Sequence, residues 1–211
     1  MPELSLYYVH DPMCSWCYAF KQSLSELQKD LPAEISLIYV LGGLAADTNT
    51  PMPVTLQNTI QNAWQQIENT VPNIGFNYDF WTFNTPTRST YPACRALLAA
   101  RKQGADFEPE LLQAIQHAYY QQARNPSLTV TLEQCAAEVG LDKVDFIKDL
   151  GSQEIEYQLQ AEIHFARSMG VSSYPSLRLL LDEQPRVITI DYLNHQPMIE
   201  QISAIMLAES K

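Results

Sequence analysis

Residues 10–20 read H-D-P-M-C-S-W-C-Y-A-F and lie between an apolar run suited to a strand and another suited to a helix. Cys14 and Cys17 are separated by Ser15 and Trp16. Both sulfurs therefore fall within the first turn of a helix starting near Met13 or Cys14. The free N–H groups of a helix start carry partial positive charge and favour a thiolate over a thiol. In such a pair the first cysteine is expected to face solvent and attack, and the second, one turn in, to be shielded and to resolve the mixed disulfide. Cys14 is the candidate attacker and Cys17 the candidate resolver.

The same spacing is also half of a four-ligand zinc site. A closed site needs a second Cys/His pair, and Cys94, Cys135 and the four scattered histidines offer none at ligand spacing, so no metal is assigned. His10 is read as a surface histidine. Asp11, three residues before Cys14, either tunes the thiol and assists proton transfer, with His10 as a second candidate for that tuning, or caps the turn. Trp16, between the cysteines, is expected to be a half-exposed lid on the disulfide.

A chain of 211 residues is long enough to bury a core without disulfide staples, as one domain or as a domain carrying an insertion. The net charge of -11 argues against nucleic acid and anionic membrane surfaces as partners. No run approaches the ~18 apolar residues of a membrane span. Residues 1–3 lack the basic region and apolar stretch of a signal peptide, so a cytoplasmic location is expected. In a reducing compartment a C-x-x-C reads as catalytic, redox-sensing or metal-binding rather than as a structural disulfide.

Along the chain, residues 4–9 form a candidate strand that ends at His10-Asp11-Pro12. Cys17, Phe20, Leu24, Leu27 and Leu31 recur at helical spacing until Pro32, and residues 34–41 make a second strand. The opening thus reads β-α-β with parallel strands, closed by Gly42-Gly43. A helix is expected over 55–68. The aromatics Phe76, Tyr78, Phe80, Trp81 and Phe83 either line a groove or, the favoured reading, pack an irregular segment. Residues 89–169 predict four or five helices. Thr90 is expected to cap the first, Pro109 to open another, Thr131 with Gln134 to form a capping box, and Gly151 and Gly170 to close the last two. Cys94 and Cys135 fall on apolar faces as inert thiols. Arg88, Arg95 and Arg101 read as solvated or ion-paired. A hairpin over 177–190, turning at 182–185, and a final helix with Pro197 in its first turn complete the chain.

A β-α-β unit with C-x-x-C at its helix start, a long helical interruption, then X-Pro, a hairpin and a helix resembles the DsbA family, a thioredoxin-like α/β fold with an inserted all-helical domain. D-P-M-C-S-W-C-Y-A-F, L-G-G-L, the S-x-E at Ser152 and G-V-S-S-Y-P are similar to its FrnE-like cytoplasmic branch. The resemblance implies a thioredoxin-like part over 1–45 and 166–211 and a helical insertion over 46–165. It also implies a cis bond at Tyr174-Pro175, beside the cysteines, with the backbone of Tyr174 open to a substrate. The family usually carries a smaller or aliphatic residue before that proline, and tyrosine departs from it.

The function expected is thiol-disulfide exchange, of the disulfide reductase or isomerase type, by Cys14 and Cys17 without a metal or organic cofactor. Its partners are a disulfide- or thiol-containing protein or small molecule, with glutathione or thioredoxin as candidates for recycling. Two alternatives stand beside it. One is a glutathione-dependent transferase or isomerase of the kappa-class or hydroxychromene-carboxylate isomerase type, whose members generally carry serine where Cys14 stands. The other is a non-enzymatic redox-sensing or metal-binding module.

Overall fold

The computed structural model describes residues 4–181 and 184–209. The expectations for residues 1–3, and for Asp182 and Glu183 at the hairpin tip, lie outside these.

Strand β1 (Leu4–His10), helix α1 (Ser15–Asp30) and strand β2 (Ile35–Leu41) open the chain. Helices α2 (Val54–Thr70), α3 (Asp79–Phe83), α4 (Tyr91–Gln103), α5 (Phe107–Tyr120), α6 (Thr129–Glu138), α7 (Lys143–Leu150) and α8 (Gln153–Ser168) follow. Strands β3 (Ser176–Leu181) and β4 (Gln184–Ile188) and helix α9 (Gln196–Glu209) end it. The sheet order is β2-β1-β3-β4, with β1 parallel to β2 and antiparallel to β3, and β3 antiparallel to β4. Parallel β1 and β2 require a crossover, which α1 provides.

The pleat sends alternate residues of β1 to opposite faces. Leu6 and Tyr8 pack with Phe20, Leu24 and Leu27 of α1 and with Met198 and Ile202 of α9. Val9 packs on the other face, with Val40, Ala166, Met169 and Val171. Helix α8 serves two cores: Ile155, Leu159 and Ile163 join the helical cluster, and Phe165 and Ala166, one turn further on, cover the sheet. The helical cluster centres on fully buried Trp64, ringed by Phe76, Tyr78, Phe80, Trp81 and Tyr119. The aromatic segment is therefore packing rather than a groove, except for Phe83, which is 75% exposed.

Gly151 and Gly170 stand just past α7 and α8 as expected, and side-chain caps hold the starts of both helices. Asp142 accepts a hydrogen bond from the Asp145 N–H and Ser152 from the Ile155 N–H, and Gly170 takes a left-handed φ of 70° just beyond α8. Others differ. Pro109 is the third residue of α5 rather than its opening. Thr131 lies inside α6, whose N-cap is Leu128, so the Thr131–Gln134 capping box does not form. Thr90 stands before α4 without capping it, because its hydroxyl is committed elsewhere.

The Ser152 cap lies at the start of the helix that ties both cores together. Ser152→Ala is expected to lower unfolding free energy by about 1 kcal/mol in urea titration, with an unchanged denaturant slope.

Candidate active site

Pro12 ends the strand run, and the chain turns sharply enough for the Cys14 N–H to donate to the Asp11 carbonyl at 3.1 Å. Cys14 is the N-cap of α1 in extended conformation, and its carbonyl accepts from the Tyr18 N–H. The helix thus starts at Ser15, leaving Cys14 at its mouth and Cys17 in its first turn. Both thiols are free.

Neither sulfur is open. Cys14 is only 7% exposed, which corrects the expectation that it faces solvent. The segment before β3 folds over it, and the Cys14 thiol donates to the Tyr174 carbonyl at 3.4 Å. The Tyr174–Pro175 bond is cis. The Tyr174 hydroxyl donates to the Gly42 carbonyl at 2.6 Å, and its ring lies where a Cβ on Gly42 would stand, 2.0 Å from Cε1. The glycine of L-G-G-L is required by this close approach. Cys17 is 1% exposed. Burial first, and then the hydrogen bond and charge of Cys14, push its thiol well above the ordinary range. Trp16 is half-buried and leans on Tyr192, ring centroids 5.0 Å apart.

Asp11 is fully buried and its carboxylate is saturated. One oxygen accepts from the Met13 N–H at 2.8 Å. The other accepts from the Leu44 N–H at 2.7 Å, the Thr90 hydroxyl at 2.6 Å and the Cys94 thiol at 3.5 Å. Turn-capping is therefore one part of what Asp11 does. Cys94 is buried as expected, yet it belongs to this network; burial and the Asp11 charge push its thiol well up. Cys135 is buried separately, with its thiol pushed up to about 11 by burial.

His10 is a second correction. It is fully buried, stacked on Tyr8 with ring centroids 5.0 Å apart and edge-on to Tyr39, and neither ring nitrogen has a hydrogen-bond partner. Desolvation, with Arg101 adding to it, pulls its pKa down to about 3, so it is neutral at physiological pH. Arg95 and Arg101 are ion-paired, to Asp47 and Glu156 and to Glu108 and Glu162 respectively.

The structure thus brings Asp11, Cys14, Cys17, Tyr174 and Pro175 to the start of α1, with Trp16 at the rim and His10 buried behind. Tyr8, Gly42, Thr90, Cys94 and Tyr192 also contribute. The period of two would have placed Tyr8 on one face with His10, and L-G-G-L marked Gly42. Nothing local marks Thr90, Cys94 or Tyr192, which reach the site through tertiary packing. Among the described residues no group of three or more His, Cys, Asp or Glu side chains is arranged to hold a metal ion, and no helix is long and apolar enough to cross a membrane.

A four-stranded mixed sheet with a C-x-x-C at its first helix, a cis proline against it and a helical block between β2 and β3 defines a DsbA-like thioredoxin fold. The family model described as Thioredoxin matches residues 7–195, and the chain belongs to that family. Among solved structures it is similar to a Nitrosomonas europaea protein assigned as a protein disulfide isomerase, at 22% identity, 98% coverage of both chains and a TM-score of 0.85. It is similar also to the cytosolic disulfide reductase DsbM from Pseudomonas aeruginosa, at 22% identity, 96% and 99% coverage and a TM-score of 0.74; DsbM has also been solved with GSH. Among curated proteins it is similar to the ClpXP adapter protein SpxH of Halalkalibacterium halodurans, 24% identical over 199 residues that make up 91% of this chain and 64% of that one. The chain spans about three fifths of the length of the curated relatives it matches.

Two outcomes follow from this packing. Gly42→Ala would drive a methyl into the Tyr174 ring and is expected to lower stability by about 1–3 kcal/mol in urea titration. His10 gives a pH signature. The unfolded chain protonates it below about pH 6.5 while the folded chain resists down to about 3, so the unfolded state binds more protons and stability falls as pH drops through that window. The slope from His10 approaches about 1.4 kcal/mol per pH unit, and His10→Phe is expected to remove it between about pH 6 and pH 4 in paired urea titrations.

Proposed function

We propose that this protein is a thiol-disulfide oxidoreductase of the disulfide reductase or isomerase type. Cys14 is the attacking thiol and Cys17 the resolving thiol. The observation that carries this reading is the pair of free thiols at the start of α1, with Cys14 against the backbone of Tyr174. In the reductive direction the Cys14 thiolate attacks one sulfur of a substrate disulfide and the other sulfur leaves as a thiolate. Cys17 loses its proton and attacks Cys14, a second substrate thiolate departs, and the Cys14–Cys17 disulfide remains. Thiols from a recycling partner then restore the dithiol. A substrate displaces the Cys14 thiol from the Tyr174 carbonyl and lies along Tyr174 and Pro175, with Trp16 at its edge.

The Asp11 carboxylate holds the turn rather than exchanging protons, since its oxygens are occupied by four donors. Neutral His10 makes no hydrogen bond through either ring nitrogen and stacks on Tyr8 instead. Residues 1–45 and 166–211 carry the redox site, and 46–165 is the inserted helical domain whose Thr90 and Cys94 brace it. The substrate is a disulfide-bearing protein or small molecule, and glutathione or thioredoxin returns the pair to the dithiol form; DsbM, a cytosolic reductase solved with GSH, supports glutathione in that role and a cytoplasmic setting. The transferase or isomerase alternative is weakened by Cys14 standing where its members carry serine.

A second reading, favoured by the SpxH relatives, is a protein-binding adapter in which the thiols regulate docking rather than turn over. Cys14→Ser is expected to reduce insulin-disulfide reduction to the buffer level, and Cys17→Ser to accumulate a mixed disulfide with substrate through Cys14, seen by non-reducing mass spectrometry. Full activity of Cys14→Ser, or no adduct on Cys17→Ser, would contradict the exchange reading and leave the adapter.

A further inference from the structure

Several hollows of ligand size, roughly 300–1,000 Å³, open on the surface, and the charged groups in their walls distinguish them. In one of about 510 Å³ beside the start of α8, Arg95 is already paired with Asp47 and Glu156. In another of about 440 Å³ along β2, Arg101 is already paired with Glu108 and Glu162. The cleft of about 590 Å³ between α1 and α5 is different. Its lysine, Lys21, lies 4.3 Å from the centroid of the Tyr18 ring and makes no ion pair among the described residues. No Asp or Glu stands in its walls, although the chain has 24 of them and a net charge of -11. An anion entering here meets an uncommitted positive charge and no opposing carboxylate in the wall.

Helical periodicity builds the two sides. Lys21, Leu24 and Gln28 recur at three and four residues along α1, and Leu112 and Gln116 at four along α5, so each set shares a face. Leu24 is buried and Leu112 and Tyr39 are half-buried, which gives the cleft an apolar lining. Gln116 is 5% exposed, yet its side-chain amide makes no hydrogen bond among the described residues. Buried amides are normally paired, because losing water without a replacement partner is costly. This one holds both a donor and an acceptor free for whatever fills the cleft. Cys17 contributes to the walls, and neither Cys14 nor Tyr174 does.

We propose that this cleft is a binding site for a small organic carboxylate that also carries an amide, of the kind an N-acylated amino acid presents. The carboxylate pairs with the Lys21 ammonium. The ligand's amide exchanges hydrogen bonds with the Gln116 side chain, and its apolar side chain lies against Leu24, Leu112 and Tyr39. No covalent bond is made or broken on binding. The site is separate from the place where a disulfide substrate meets Cys14, and it goes beyond the exchange reading, since it stands whether or not the thiols turn over.

The test is a titration of the reduced, isotope-labelled protein with N-acetylleucine, followed by NMR, with uncharged N-acetylleucinamide as the control. The side-chain amide signal of Gln116 and the backbone signals of Lys21 and Leu112 are expected to shift together and to saturate. The control is expected to bind about fivefold more weakly, the scale of one exposed ion pair. Lys21→Met keeps the apolar stem and removes the charge; it is expected to weaken N-acetylleucine about fivefold and to leave N-acetylleucinamide unchanged. Gln116→Met replaces an unpartnered amide by an apolar side chain of similar size and is expected to weaken both probes about tenfold without lowering stability in urea. Shifts at Gln116 that never saturate up to the limit of solubility would overturn the proposal, as would equal binding of the two probes or binding unaltered by Lys21→Met. If Gln116→Met destabilises the fold, Lys21→Met still decides the matter, because Lys21 is exposed.

Discussion

The Asp11 carboxylate is the tie on which the site depends. A buried charge is tolerated only when its hydrogen-bonding capacity is filled, and stripping one partner from such a group typically costs several kcal/mol. Here the donors come from the turn itself, from the loop after β2 and from α4. The redox turn, the glycine loop and the helical block are thereby held to one point, because none can move without unpairing that charge. Tyr174 adds a second tie, from its hydroxyl to Gly42, and brings its backbone to the Cys14 sulfur. The geometry of the cysteines is therefore set by tertiary contacts rather than by the C-x-x-C spacing alone.

The two thiols live in different surroundings although they share one turn of helix. Cys14 sits at the mouth of α1, its thiol against the Tyr174 carbonyl. Cys17 is buried one turn in, on the wall of the cleft between α1 and α5, where desolvation favours the neutral thiol. A thiol that is reluctant to ionise is a slow nucleophile until something stabilises its anion. Closure of the pair needs a two-electron oxidant, which in exchange is the disulfide that Cys14 has already attacked.

Much of this was legible in the residues. The apolar and aromatic strand runs, helical spacing after Cys17, Pro32 as a stop and Gly170 closing the long helix are local signals, and the structure follows them. The cysteine pair, Asp11 and Tyr174-Pro175 were singled out by position and by resemblance. What the sequence hides is depth. His10 reads as a polar residue at a strand end, yet it is stacked under Tyr8 with no hydrogen-bond partner. Thr90 has the chemistry of a cap and spends its hydroxyl on a carboxylate 79 residues earlier in the chain instead. Cys94 reads as a small hydrophobe, and only the folded chain brings it to Asp11. Each is decided by a partner remote in sequence, which no window of neighbouring residues contains.

The central claim is that Cys14 and Cys17 form one reversible redox unit. It is tested most directly by equilibrating the protein in glutathione buffers of graded poise, alkylating free thiols and locating the label by peptide mass spectrometry. The account predicts that Cys14 and Cys17 lose label together in a single two-electron transition, followed also by Trp16 fluorescence, while Cys94 and Cys135 take label only after unfolding. A pair that stays labelled at every poise, or a disulfide that instead joins Cys94 to one of them, would contradict it.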